Sequence, residues 1–298
     1  MIKIFRIFLS IIFTSTILYA NFSKQSIQQE ESGELVIGYY GRPHSASLGI
    51  LGENSIDELV KKMKKQKAYY NKELNNKVDI KLAFHIIYSL ATKDPGRKKD
   101  YLLGMSDKVL MKYIKRAQKE NFLVFIDLQL GTLTPAQAIK PVLKYLKYEN
   151  VHLAIDPEFK IPKHKKYPPG KYIGHITAWQ LNEAQDLISD YLISHNIIQR
   201  KKLIIHMFHK RMLRNKRYVK IHDNIELIYN IDGHGTGAVK TKIYNGLYAI
   251  SQTNKAVGGF KIFYNNDIKP IMTPKQIMGL EPVGNQKIMI KPYYINYH

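Results

Sequence analysis

The stretch VHLAIDPEF, Val151 to Phe159, decides how the chain is read. Its β-branched and aliphatic residues form a short apolar strand. That strand closes on Asp156-Pro157-Glu158, so it delivers two carboxylates to its C-terminal end. The same plan recurs on both sides. Apolar runs ending in polar or ionisable residues stand at VIGYYGRPH (36–44), IKLAFHIIYS (80–89), FLVFIDLQLG (122–131), LIIHMFHK (203–210), ELIYNIDGHG (226–235) and FKIFYNND (260–267). Helix-patterned segments separate most of them, and strands alternating with helices predict a parallel sheet.

The helix signals are explicit. Ser55 with Glu58 reads as a capping box opening a helix to about Leu74, and Ser106 caps a second helix through Val109, Leu110, Tyr113 and Ile114. Thr134-Pro135 starts a third, with Pro141 set to kink it, and Ala178 to His195 presents Leu181, Ala184, Leu187, Ile188 and Leu192 on one face. Lys210 to Asn224 is basic and has room for only a short helix, so the fifth repeat is irregular. Ala238 to Thr253 is helix-compatible, a short helix is expected at Thr273 to Met278, and Lys287 to Ile290 is the candidate eighth strand, with the tail from Pro292 closing the barrel. The expected fold class is α/β, a (β/α)8 TIM-like barrel, which uses roughly 250 residues and does its chemistry where the C-terminal strand ends converge.

Met1 to Ala20 has the pattern of a secretory signal: Lys3 and Arg6, an apolar run from Ile7 to Leu18, and a small residue at Ala20. A polar lead-in is expected over 21–34 and a single barrel domain over 35–298, in a periplasmic or secreted protein with no stable membrane span once the signal is removed. The chain has no cysteine, which excludes disulfides, thiolate nucleophiles and thiolate metal sites. The net charge of +22 favours anionic surfaces or polymers. Its lysines are scattered over helices, and no nucleic-acid motif accompanies them, so nucleic acid is not the expected partner. The expected partner is a polysaccharide or glycan, with an anionic one favoured by the charge.

Asp127, Asp156, Glu158, Asp232 and His206 fall at or just past predicted strand ends. Carboxylates that share a cleft shift one another's pKa values, so one stays protonated while another stays ionised. Glycosidic bond cleavage needs that division. Tyr39, Tyr40, Phe208, Phe263, Tyr264 and the lone Trp179 are candidate platforms for sugar rings. Arg42, Gln129, Asn182 and His234 are candidate hydrogen-bonding contacts, and His44, His85 and His209 are weaker ones. The competing explanation for each is structural: a cap, a barrel histidine, a glycine-rich turn or core packing. No cofactor and no metal are expected. A metal-assisted hydrolase using Asp127, Asp156, Glu158, His206 and Asp232 is a third alternative, disfavoured because neither a paired-histidine strand nor a His-Glu-x-x-His helix is present.

The strings GYYGRP, DLQLG, IDPEF, HMFHKRM, DGHG and KIFYNND, in that order, resemble an uncharacterised group of secreted bacterial proteins with a glycoside-hydrolase-like barrel, from about Val36 onward. The resemblance implies a shared fold and site without a defined reaction. More loosely, Asp156-Pro157-Glu158 is similar to the Asp-x-Glu ending of chitinase-like hydrolases and of lysozymes built on an α/β barrel. That likeness implies Glu158 as acid, with Asp156 orienting an acetamido group or stabilising charge. The chain departs from the chitinase pattern in lacking the additional upstream aspartates and glycine and in placing proline between the two acids. The expected function is hydrolysis of an envelope or extracellular polysaccharide, and the alternative is a non-catalytic glycan-binding barrel involved in envelope assembly.

Overall fold

A computed structural model describes residues 33–162, 167–251 and 253–298. The signal segment and nearly all of the lead-in lie outside the described residues, as do Lys163, Lys165 and Lys166 of the loop that follows the fourth strand. Glu34 already belongs to the first strand. The described elements run β1 (Glu34–Gly41), α1 (Ile56–Glu73), β2 (Asp79–Ala91), α2 (Asp107–Glu120), β3 (Leu123–Gln129), α3 (Pro135–Ile139), β4 (Val151–Asp156), α4 (Ala178–Ser194), β5 (Lys201–Met207), β6 (Ile225–Ile231), α5 (Gly237–Tyr244), β7 (Val257–Ile262), α6 (Pro274–Ile277) and β8 (Tyr294–Tyr297). Each strand pairs in parallel with the next, and β8 pairs with β1, so the eight close into a (β/α)8 barrel.

The helices start where the sequence signals them. Ser55 and Glu58, Thr134 and Gln137, Thr177 and Gln180, and Thr273 and Gln276 form reciprocal capping boxes that satisfy otherwise orphaned amides. After α3 the chain tightens at Pro141 into the 3-10 turn Lys140–Tyr145. The fifth crossover holds only the 3-10 turn Lys216–Tyr218 and the short strand Leu213–Arg214. The eighth strand is a correction: it is Tyr294–Tyr297, not Lys287 to Ile290. Met289 is 64% exposed and Ile290 41%, whereas every residue of Tyr294–Tyr297 is buried. No helix among the described residues is long and apolar enough to cross a membrane.

Period-two alternation divides the core into two shells. Val36, Ala83, Phe125, Ala154, Ile204, Ile228 and Tyr294 fill the barrel, while Leu35, Ile37, Ile126, Leu153 and Ile205 pack outward against Leu59, Ile114, Leu181 and their neighbours on the helices. Gly38 on β1 makes room for one of the inner side chains. A Cβ there would lie 2.3 Å from the Tyr294 hydroxyl oxygen, so only glycine lets that phenol stand in the lumen.

Candidate active site at the barrel mouth

Above the apolar layer, the inward positions of all eight strands turn polar. Tyr40, His85, Asp127, Asp156, His206, Asn230, Lys261 and Asn296 come from β1 to β8 in turn, with Glu158 and Asp232 just past β4 and β6. A parallel barrel brings these C-terminal ends together whatever their separation in sequence. The opposite end of the lumen is also charged but neutralises itself. There the Lys202 ammonium sits 2.9 Å from Glu226 and 3.7 Å from Glu34, and the Tyr293 hydroxyl donates to Glu34.

At the mouth the contacts converge on His206. Its Nδ1 donates to Asp232 Oδ2 at 2.6 Å, and its Nε2 lies 3.3 Å from His85 Nε2. His85 Nδ1 is 2.7 Å from the Tyr294 hydroxyl and 3.3 Å from the Asn296 amide. The Asn230 amide donates to Asp232 Oδ1 at 2.6 Å, and the Lys261 ammonium reaches Asp232 Oδ2 at 3.4 Å while standing 3.9 Å from the centre of the Tyr40 ring. Tyr40 also packs edge-on to His85 and His206 and tilts against His298. Asp127 lies beneath, fully buried, 3.7 Å from the Nε2 of each histidine. Among the described residues, neither of its oxygens receives a hydrogen bond of ordinary geometry, although the Tyr40 hydroxyl is turned toward it.

These surroundings split the ionisations. Burial pushes Asp156 up to about 7, with His206 opposing and the Glu158, Asp127 and Asp232 charges adding to the rise. Burial also raises Glu158 and Asp127. Burial works to raise Asp232 as well, but the His206 and Lys261 charges outweigh it and hold that carboxyl low. Burial works to lower His206, and Asp232 with Asp127 overrides it, lifting the imidazole to about 9. His85, by burial and then by its charged neighbours, stays well below the usual histidine range. One mouth therefore holds proton-bearing carboxyls beside an ionised one. Asp156 also serves locally, since its Oδ1 accepts from the Glu158 amide and fixes the turn around Pro157.

Of the residues singled out in the sequence, the fold brings together Tyr40, Asp127, Asp156, Glu158, His206 and Asp232, along with His85. Others lie elsewhere. Tyr39 points outward, the opposite way from Tyr40, and packs against Tyr297, on which Tyr264 also stacks at 5.2 Å. Arg42 is engaged with the carbonyls of Ile87, Tyr88 and Gly104. The Gln129 side chain accepts from the Ala91 amide. Asn182 braces the fifth crossover, donating to the Tyr218 carbonyl and accepting from the Lys220 amide. Trp179 is 57% exposed and stacked on Tyr218 of the fifth crossover. Phe208 packs against the outer core, and His234 is exposed, edge-on to Phe263. His44 is exposed in a left-handed turn, and His209 Nδ1 accepts from the Arg211 amide.

Lys261, Asn230, Tyr294, Asn296 and His298 went unread. The signal was present for Lys261 and Asn230, polar residues inside FKIF and LIYNI where strand alternation faces them to the lumen.

No protein-family model matches the chain, and no curated protein matches it significantly. Among solved structures it is similar to a ligand-free α-N-acetylgalactosaminidase, NagBb, from Bifidobacterium bifidum, at 10% identity and a TM-score of 0.31. The match covers 70% of this chain and 46% of that one, so the chain spans less than half of that enzyme's length.

Proposed function

We propose that the barrel mouth is a hydrolytic site for glycosidic bonds in an envelope or extracellular polysaccharide, and that the chain works in the periplasm or outside the cell. The observation that carries this reading is the convergence of Asp127, Asp156, Glu158 and Asp232 on one end of a parallel barrel, with Glu158 only partly buried at its rim. Hydrolysis of a glycoside needs a carboxylic acid to protonate the leaving oxygen and a second group to manage the positive charge at the anomeric carbon. Glu158 is the proposed acid, since its raised pKa favours the protonated form and its position lets a polymer reach it. Asp156 holds the turn that presents Glu158 and adds a second proton-bearing carboxyl. Asp232, kept ionised by His206 and Lys261, is the proposed stabiliser of positive charge. The exposed His234 ring stands beside Phe263 just past the ends of β6 and β7 as a candidate contact for a sugar, and the net charge of +22 suits an anionic polymer.

The test is release of reducing ends from a panel of envelope polysaccharides, neutral and anionic, by the wild type and by Glu158→Gln. Release by the wild type, with loss of about a hundredfold or more in the variant, supports the assignment. Tight binding of one polymer without release by either protein would replace it with a glycan-binding barrel.

A further inference from the structure

We infer that His85, Asp127 and His206 form a binding site for a divalent transition metal of the zinc type at the floor of the barrel mouth. The Nε2 atoms of the two histidines are 3.3 Å apart, and Asp127 Oδ2 lies 3.7 Å from each. The circle through three atoms so spaced has a radius of about 2.1 Å, the distance at which zinc holds imidazole nitrogen and carboxylate oxygen. The three groups come from β2, β3 and β5 and are buried, so the barrel itself fixes their spacing.

The outer nitrogens are already engaged. His206 Nδ1 is held by the Asp232 carboxylate at 2.6 Å and His85 Nδ1 by the Tyr294 hydroxyl at 2.7 Å, which leaves the two Nε2 atoms facing each other at 3.3 Å beside Asp127. A carboxylate or hydroxyl behind each imidazole is the arrangement that orients histidine ligands and raises their basicity. Asp127 supplies an independent observation. It is a carboxylate with no exposure and, among the described residues, no hydrogen bond of ordinary geometry beyond the approach of the Tyr40 hydroxyl, and such a group is costly unless something positive sits against it. With both imidazoles neutral as ligands, the Asp127 and Asp232 carboxylates face the Lys261 ammonium among the described side chains, and a dication would supply the positive charge that His206 gives up on ligation. Two imidazoles with one carboxylate favour zinc-like ions over magnesium or calcium, which prefer all-oxygen shells. Three protein ligands leave a further position for water or a substrate oxygen.

This inference stands apart from the glycosidase reading, because its readout is metal binding and not turnover. The experiment is a cobalt(II) titration of the whole protein after chelator treatment, followed in the visible region, with zinc as displacing ion. One equivalent with ligand-field bands, displaced by zinc, is expected for the wild type. His85→Ala and Asp127→Asn should abolish it, and Tyr294→Phe, which keeps all three ligands, should weaken it by about 10- to 100-fold with the circular dichroism of the wild type. Absence of binding by the wild type would overturn the inference. So would binding that persists unchanged in all three variants, since the ion would then be held by other histidines.

Discussion

Replacing Arg42 with methionine separates a structural role from a substrate contact at the edge of the mouth. Arg42 is 8% exposed, and its guanidinium donates to the carbonyls of Ile87 at 3.1 Å, Tyr88 at 3.2 Å and Gly104 at 2.9 Å, tying the end of β1 to the end of β2 and the loop beyond it. Methionine keeps much of the stem and removes every donor. The contacts to Tyr88 and Gly104 are partly open, so water can take the place of the lost donors at small net cost. The Ile87 contact is buried, and its bare carbonyl costs about 1–3 kcal/mol. Hydrogen bonds from a charged donor contribute about 1.5–3 kcal/mol each, offset by relief from burying the guanidinium, so a net loss of about 2–4 kcal/mol is expected. In a chain of this length each kcal/mol moves Tm by about 2–4 °C, which places the melting point roughly 5–15 °C lower. The assay is urea and thermal unfolding beside the affinity of the folded variant for whichever polysaccharide the wild type binds. A variant that melts like the wild type but has lost that affinity would refute the clamp and return Arg42 to the substrate.

Further outcomes follow from other parts of the mouth. If Glu158 is the acid, the rate is present while its carboxyl is protonated and falls as pH rises through a pKa that burial has moved above the ordinary glutamate range. A kcat/KM that keeps rising from pH 5 to pH 8 would remove Glu158 from that role. Gly38→Ala drives a methyl group into the Tyr294 phenol and should cost about 1–3 kcal/mol. It should also displace that hydroxyl from His85, so unchanged unfolding and unchanged cobalt affinity would together contradict the packing described. Trp179→Ala, at a surface stack, should alter stability by about 1 kcal/mol or less and leave cleavage of short oligosaccharides intact. A collapse in their turnover would bring Trp179 back to the site.

The barrel was legible because strands buried on both faces read as unbroken apolar runs, and because Ser or Thr followed by Glu or Gln three residues later marks helix starts without reference to the rest of the fold. The eighth strand was harder. Lys287 to Ile290 has strand-like alternation but, among the described residues, its backbone bonds the Asn245 side chain and not a barrel strand, whereas YINY is four residues long and closes the barrel through pairings with β1 and β7 that no local pattern encodes. In the site, Asp127, Asp156 and His206 could be read because an ionisable residue inside an apolar run has few ways to be accommodated except with partners. Tyr39 and Tyr40 could not be told apart until strand register placed one in the lumen and the other under the helices. Arg42, Gln129 and Asn182 are found in backbone contacts for a common reason: a long polar side chain near a strand mouth can reach a neighbouring backbone as readily as a ligand.

The two ends of the lumen separate what polar residues do for the fold from what they do for the site. At the N-terminal end, Lys202 and Arg200 face Glu226, and Lys202 also faces Glu34, so the two cations and two carboxylates match in charge. At the C-terminal end, Asp232 is satisfied by Asn230, His206 and Lys261, but Asp127 is left without ordinary donors, and Asp156 meets its own burial by holding a proton more tightly than usual. A barrel selected for stability alone would gain from apolar residues at those positions, since well-packed hydrophobic side chains often replace buried charges without loss. The unmatched carboxylates lie above a packed apolar layer and open toward solvent through Glu158 and Asp232. Burial then acts on them in one direction only: it makes each carboxyl bind a positive partner more strongly, whether that partner is a proton, a metal ion or the developing charge on a sugar ring.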